Sequence, residues 1–193
     1  MSVDDLPFQP PTGPIGADEL ADVARRVAER PDLWEPTLDP TRERRTYSEV
    51  YTGEHLGVWA IAWAADDHDT GYHDHDRSHG AVHVARGCIR HEHLQLGARP
   101  VGEAVPAGQG FRFDNTAIHR MRREPGHDLT VTIHAYSPPL EETGQYAQDD
   151  HDRLLHRVPS PSSEQLRPQG FQGDPSDGIG ATRPGSRRTS VGN

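Results

Sequence analysis

The sequence holds one cysteine, no long apolar run and no excess of positive charge, and each of these shortages closes off a class of protein. With Cys88 alone, no intrachain disulfide and no thiolate-built zinc site can form, which fits a reducing, cytoplasmic setting. No stretch of 18 apolar residues exists to span a bilayer, and Met1 to Pro11 carries acids and prolines where a secretion signal needs a basic start and an apolar core. The 20 basic residues, all arginine, face 30 acids for a net charge of -10, and no basic patch interleaves with aromatics. That balance repels polyphosphate and anionic lipid, so neither nucleic acid nor a membrane is expected as a partner. Apolar residues make up only 32% of 193, enough for one domain but low enough that part of the chain is expected to stay unpacked.

What is present begins with a helix. From Ala17 to Glu29, Leu20, Val23, Ala24 and Val27 recur at helical spacing, with Asp18 and Glu19 in the first turn. Beyond Pro40 the pattern changes to short alternating segments punctuated by Gly and Pro: Val58 to Trp63, Ala81 to Ala85, Val101 to Val105, Gln109 to Phe113 and Leu129 to Tyr136. Many short strands at regular spacing predict a mainly β protein, an antiparallel sandwich or barrel of which the cupin jelly roll is one closed form. From Pro159 the composition is Pro, Gly, Ser, Gln and Arg, with too little apolar surface to offset the entropy of ordering. The expected organisation is an N-terminal arm with one helix packing on the barrel (1–43), a β-barrel domain (44–158) and an irregular C-terminal tail (159–193).

Thirteen histidines are present, and they cluster. In Tyr72-His73-Asp74-His75-Asp76-Arg77-Ser78-His79-Gly80, strand alternation points His73 and His75 the same way and Asp74 outward. Two imidazoles so placed can converge on one ion, although a His-X-His pair alone is more commonly a solvated polar edge. A second segment, Ile118-His119-Arg120, supplies a third imidazole. His55, His68, His79, His83, His91, His93, His127, His151 and His156 are expected at the surface or in loops, and Cys88 as an inert small residue. In the strand after Gly80, alternation turns Val82 and Val84 inward and leaves His83 outside. Further on, Thr132, His134 and Tyr136 share one face of a strand whose other face carries Val131, Ile133 and Ala135. A hydroxyl, imidazole and phenol in line can fix the imidazole tautomer and orient the phenol, although a lone polar stripe usually faces solvent.

Taken together, His73-Asp-His75-x-x-Ser78-His79-Gly80, Ile118-His119-Arg120 and His134-x-Tyr136-Ser137-Pro138-Pro139 resemble the thiol dioxygenase family typified by cysteine dioxygenase, over roughly Tyr47 to Tyr146. The resemblance implies a cupin barrel with ferrous iron on His73, His75 and His119, oxidising a small thiol with O2 to a sulfinic acid. The position that often carries a Glu ligand in cupins is Gly80, so three coordination positions stay open. The relay of the family corresponds to Thr132, His134 and Tyr136. Gly80 also stands where mammalian members carry a Cys crosslinked to the Tyr, so Tyr136 is expected unmodified.

The family grips its substrate carboxylate with the Arg of a Tyr-x-Arg, a role suited to a bidentate guanidinium. Here the nearest match is Tyr47-Ser48-Glu49, and a gapless count back from Trp63 puts Tyr47 in the Arg slot. Only a register shift could restore a guanidinium, from Arg44 or Arg45. Tyr47, Trp59 and Trp63 are then expected to line the substrate site, where aromatic faces suit a flat sulfur heterocycle or a cationic group. That makes ergothioneine a candidate beside cysteine and 3-mercaptopropionate. The competing expectations are a non-enzymatic metal-binding cupin and a cupin oxygenase of a non-thiol substrate. The assembly expected is a monomer or weak homo-oligomer.

Overall fold

The computed structural model describes residues 3–94, 100–148 and 155–158. Its one α-helix among them, α1 (Ala17–Ala28), buries Leu20, Val23, Ala24 and Val27, the four residues whose spacing marks the apolar stripe. Glu19 Oε2 accepts a hydrogen bond from Gly16 N at 3.2 Å, satisfying a backbone donor at the helix start. Asp22 pairs with Arg25 and Arg26 on the solvent side.

The described residues form eleven strands in two antiparallel sheets. One sheet orders β1 (Thr46–Thr52), β2 (Gly57–Trp63), β9 (Thr130–Ser137), β4 (His79–Arg86) and β7 (Gly110–Phe113). The other orders β11 (Leu155–Val158), β10 (Gln145–Gln148), β3 (Tyr72–His73), β8 (His119–Arg123), β5 (Cys88–His93) and β6 (Val101–Pro106). The mainly β, cupin-like architecture expected from the sequence is the one observed. Gly87, at φ 74°, stands where the chain leaves β4 in one sheet for β5 in the other. A side chain there would be strained, and its Cβ would lie 2.8 Å from the Leu129 carbonyl oxygen.

Every residue of β2 and of β9 is buried, because the first sheet is covered on both faces. One face packs on α1: Val58, Ala60, Ala81, Val131, Ile133 and Ala135 join the helix stripe and Trp34. The other looks into the barrel, where Trp59, Ile61, Trp63, Val82, Val84 and Tyr136 meet Ile89 and Met121 of the second sheet. Each fully buried Leu or Val in these layers is worth roughly 1.5–3 kcal/mol relative to exposure. This second layer explains why the Thr132, His134, Tyr136 stripe faces a protein interior and not water. His83 lies outside the barrel beside the helix, as alternation requires.

Several expectations change. β3 ends at His73, so His75 belongs to the following turn, where Asp76 adopts φ 51° and Asp74 Oδ1 accepts from Asp76 N and Gly144 N. Asp74 is accordingly half-buried, tied also to the Tyr146 hydroxyl, and does not project freely outward. Of the histidines expected at the surface or in loops, two are buried: His68, which does lie in a loop, and His91, which lies on β5. His68 is 5% exposed because its loop folds back, its Nδ1 accepting from Ala64 N and its carbonyl from Arg123 N. His91 is 7% exposed because β5 turns Ile89, His91 and His93 inward, away from Arg90 and Glu92. His151 and the segment 159–193 lie outside the described residues.

Candidate metal centre

Strand register brings the three imidazoles together. β3 pairs with β8 so that His73 lies directly opposite His119, and opposed side chains share a face at about 5 Å between Cβ atoms. The turn after β3 then returns His75 to the same point. The ring centroids of the three are 4.7 to 4.8 Å apart, and each ring offers a nitrogen within 4.8 Å of the others. His75 Nε2 and His119 Nε2 are 3.2 Å apart. Two ligand nitrogens about 2.1 Å from one ion, near a right angle, would stand about 3 Å apart.

The other ring nitrogens set tautomers. His73 Nδ1 donates to the Gly71 carbonyl at 3.1 Å, which leaves Nε2 as its lone-pair nitrogen. His119 Nδ1 meets His91 Nε2 at 3.0 Å. His75 Nδ1 is buried without a hydrogen-bond partner. Burial holds all three rings neutral: His73 is pushed down to about 4, and His75 and His119 well below the ordinary histidine range. Phe113 closes one side, its ring 4.4 Å from His75 and 4.5 Å from His119. Buried, neutral and convergent imidazoles are the donor set of a divalent transition metal, and these three residues are suited to hold one.

Beside the cluster, Trp63 Nε1 donates to Thr132 Oγ1 at 2.9 Å, Thr132 Oγ1 meets His134 Nε2 at 2.8 Å, and His134 Nδ1 meets Tyr136 Oη at 3.0 Å. The direction of this chain follows from its first member. An indole N–H can only donate, so Thr132 receives it; the Thr132 hydroxyl is fully buried, and among the described residues His134 Nε2 is the acceptor within reach of its own proton, which goes there. His134 then carries its proton on Nδ1 and donates to Tyr136, whose own proton is left to point elsewhere. Burial pushes His134 down to about 3 and raises the Tyr136 phenol above its usual range, so the imidazole is neutral and the phenol protonated.

A small cavity of about 40 Å³ joins these parts, lined among others by Arg45, Tyr47, Trp63, His73, His134 and Tyr136. Of the substrate-site expectations, Tyr47, Trp63 and Arg45 line it; Arg44 is exposed and Trp59 packs in the barrel core away from its walls. Arg45 is 7% exposed, with its guanidinium carbon 5.2 Å from the Trp63 ring centre and 5.9 Å from that of Tyr47. A guanidinium is therefore present in the cavity, one strand pleat before the slot that Tyr47 fills. Gly80 has no room for a side chain, since a Cβ there would overlap the Phe113 ring. Sequence reasoning missed His91 and Phe113, and read Trp63 only as a stacking surface; the alternation of Ile89 and His91 with charged Arg90 and Glu92 was the signal for the first.

The chain matches the protein family Cysteine dioxygenase type I over residues 14–149. It is similar to cysteine dioxygenase type 1 of Danio rerio, 22% identical over 144 residues, covering 69% of this chain and 71% of that protein. Solved structures of similar fold include TT1209 from Thermus thermophilus, with TM-score 0.47, 13% identity, and 54% of this chain and 92% of that one covered. A recombinant oxalate oxidase in complex with glycolate aligns with TM-score 0.49 and 15% identity over 57% of this chain and 60% of that one. The family match takes in every strand from β1 to β10 and every residue of the histidine cluster and the relay, and the chain belongs to the cysteine dioxygenase type I family.

Proposed function

We propose that the protein is a ferrous-iron thiol dioxygenase that converts a compact, carboxylate-bearing thiol and O2 to the sulfinic acid. The reaction balances without an outside reductant: sulfur loses four electrons, O2 gains four, and both oxygen atoms end on sulfur. The observation that carries the reading is the meeting, in one cavity, of His73 from the three-histidine cluster, the Tyr136 phenol and the buried Arg45 guanidinium. Bound by His73, His75 and His119, iron would supply open coordination positions and redox chemistry.

The residues of the chain then have distinct tasks. Arg45 binds the substrate carboxylate, held in place against the Trp63 face. Tyr136, protonated and receiving a hydrogen bond from His134, donates its own proton as a hydrogen bond to the reacting groups. Trp63 and Thr132 hold His134 in the tautomer that makes this direction the stable one. Ile61, Met121 and Leu140 line the cavity with apolar surface and limit water around the sulfur. Because Arg45 already covers Trp63, the arrangement favours an anion over a cationic headgroup at that ring. Cysteine and 3-mercaptopropionate are the carboxylate thiols to test first, with ergothioneine, which also carries a carboxylate, as the bulkier alternative.

The test is mass analysis of products after iron-loaded protein is incubated under oxygen with cysteine, 3-mercaptopropionate, cysteamine and ergothioneine. A gain of two oxygen atoms is expected on a carboxylate thiol and not on cysteamine. Arg45→Met should raise KM for that thiol about 10- to 100-fold, the worth of a charge-assisted bidentate contact. No oxygen uptake with any thiol, together with stoichiometric zinc in the purified protein, would favour the non-enzymatic binding module. Turnover of cysteamine at the rate of the carboxylate thiols would remove Arg45 from substrate recognition.

A further inference from the structure

We propose that His91 is a positioning residue which holds His119 in the tautomer able to ligate metal, an inference that rests on reading His73, His75 and His119 as the ligand set. His91 lies on β5 opposite Met121, one inward position from His93, which is itself opposite His119. Its Nε2 is 3.0 Å from His119 Nδ1, and both rings are buried. Its plane is fixed by Phe111, stacked at 3.6 Å between centroids and 6° between planes. A polar ring immobilised this firmly against one nitrogen of a second ring leaves a single variable, the side on which the shared proton sits.

The two arrangements differ in consequence. With the proton on His91 Nε2, His119 Nδ1 accepts it, and His119 must carry its other proton on Nε2, pointing at His75 Nε2 3.2 Å away. That state closes the site with a hydrogen bond between the two rings. With the proton on His119 Nδ1, His91 accepts, and His119 Nε2 presents a lone pair to the point where the three rings converge. His91 then carries its remaining proton on Nδ1, a buried atom with no hydrogen-bond partner. Without a cation the two are balanced, since the first leaves the equally buried and unpartnered His75 Nδ1–H and the second leaves His91 Nδ1–H; a cation at His119 Nε2 is compatible with the second alone and therefore selects it. His91 thus couples the tautomer of His119 to occupancy of the site, and does so through hydrogen bonding without a charge of its own.

Two measurements test this on the full chain. Metal affinity is read with Co(II) in competition with a chromophoric chelator, for wild type, His91→Phe and His91→Gln. Phe keeps the ring against Phe111 but cannot accept a proton; Gln keeps an acceptor oxygen. His91→Phe should lose about 10- to 100-fold in affinity, and His91→Gln should recover most of it. Imidazole nitrogen NMR of zinc-loaded wild type should find His119 protonated on Nδ1 and bound through Nε2. Wild-type affinity in His91→Phe would overturn the proposal, and so would equal loss in both variants with unchanged folding, or zinc bound through His119 Nδ1. If wild type itself bound no metal, the ligand set would be refuted first and this inference with it.

Discussion

Replacing Thr132 with valine would test whether its hydroxyl carries the hydrogen-bond chain behind Tyr136. Valine fills nearly the same space, so no cavity opens, but the hydroxyl that links Trp63 Nε1 to His134 Nε2 is lost. Trp63 is fully buried and His134 is 4% exposed, so neither abandoned group can turn to water. Each unpaired buried group costs about 1–3 kcal/mol, which puts the substitution at roughly 2–6 kcal/mol. Thr132→Ser keeps the hydroxyl and removes one methyl, for about 1 kcal/mol. For a chain of this length each kcal/mol shifts Tm by roughly 2–4 °C, so the valine variant should melt roughly 2–20 °C below the serine variant. Denaturant unfolding of metal-free protein, compared at equal slope, measures the same difference. A valine variant as stable as the serine variant would mean that Thr132 does not satisfy Trp63 and His134, and the assigned proton direction would lose its anchor.

Tyr136→Phe should leave metal content unchanged and lower the rate of sulfinic acid formation about 10- to 100-fold, the worth of one hydrogen bond to a charged group; oxygen uptake measured against product formation would check it, and full rate with full coupling would remove Tyr136 from the reaction. Acid should destabilise the metal-free chain, because His134 is held near 3 by burial while its unfolded counterpart titrates near 6.5. The unfolded state binds more protons below that value, so stability is complete above about pH 6.5 and falls toward pH 3, with about 3 kcal/mol lost from this residue by pH 4; a flat melting midpoint from pH 7 to pH 4 would contradict it. Gly80→Cys should displace the Phe113 ring from its place over His75 and His119, lowering both Tm and metal affinity, as a thermal melt and a chelator competition would show.

What could be read from the sequence follows the range of the contacts involved. The helix stripe and the inward faces of β4 and β9 depend on local period alone, and there the reading and the structure coincide. His73 and His75 were paired by alternation, yet the strand stops at His73 and His75 arrives by a turn that Asp74 braces from both sides. The convergence was legible while its cause was not, because Gly144 and Tyr146, which bind Asp74, come from a segment some 70 residues away. His68 escaped for the same reason, its burial depending on Arg123.

Arg45 shows what lies between these cases. Residues two apart on a strand share a face, so a guanidinium at 45 belongs to the same side as Tyr47 and differs from the family slot by one pleat, about 6–7 Å along the strand. Whether that side faced a cavity could not be read from β1 itself, whose alternation is interrupted by a register shift between Glu49 and Tyr51. It depends on β2, which pairs Tyr47 with Ile61 and brings the Trp63 ring beneath Arg45. Trp63 therefore serves two groups at once: its face steadies the cation that would meet the substrate carboxylate, and its edge N–H sets the direction of the chain ending at Tyr136. A small aliphatic residue at 63 would disturb both ends of the cavity together, whereas Trp63→Phe separates them. Phe keeps a ring for Arg45 but has no proton for Thr132, so substrate affinity should hold while the dependence of rate on Tyr136 falls, and a KM that rose in step with the loss of rate would break that separation.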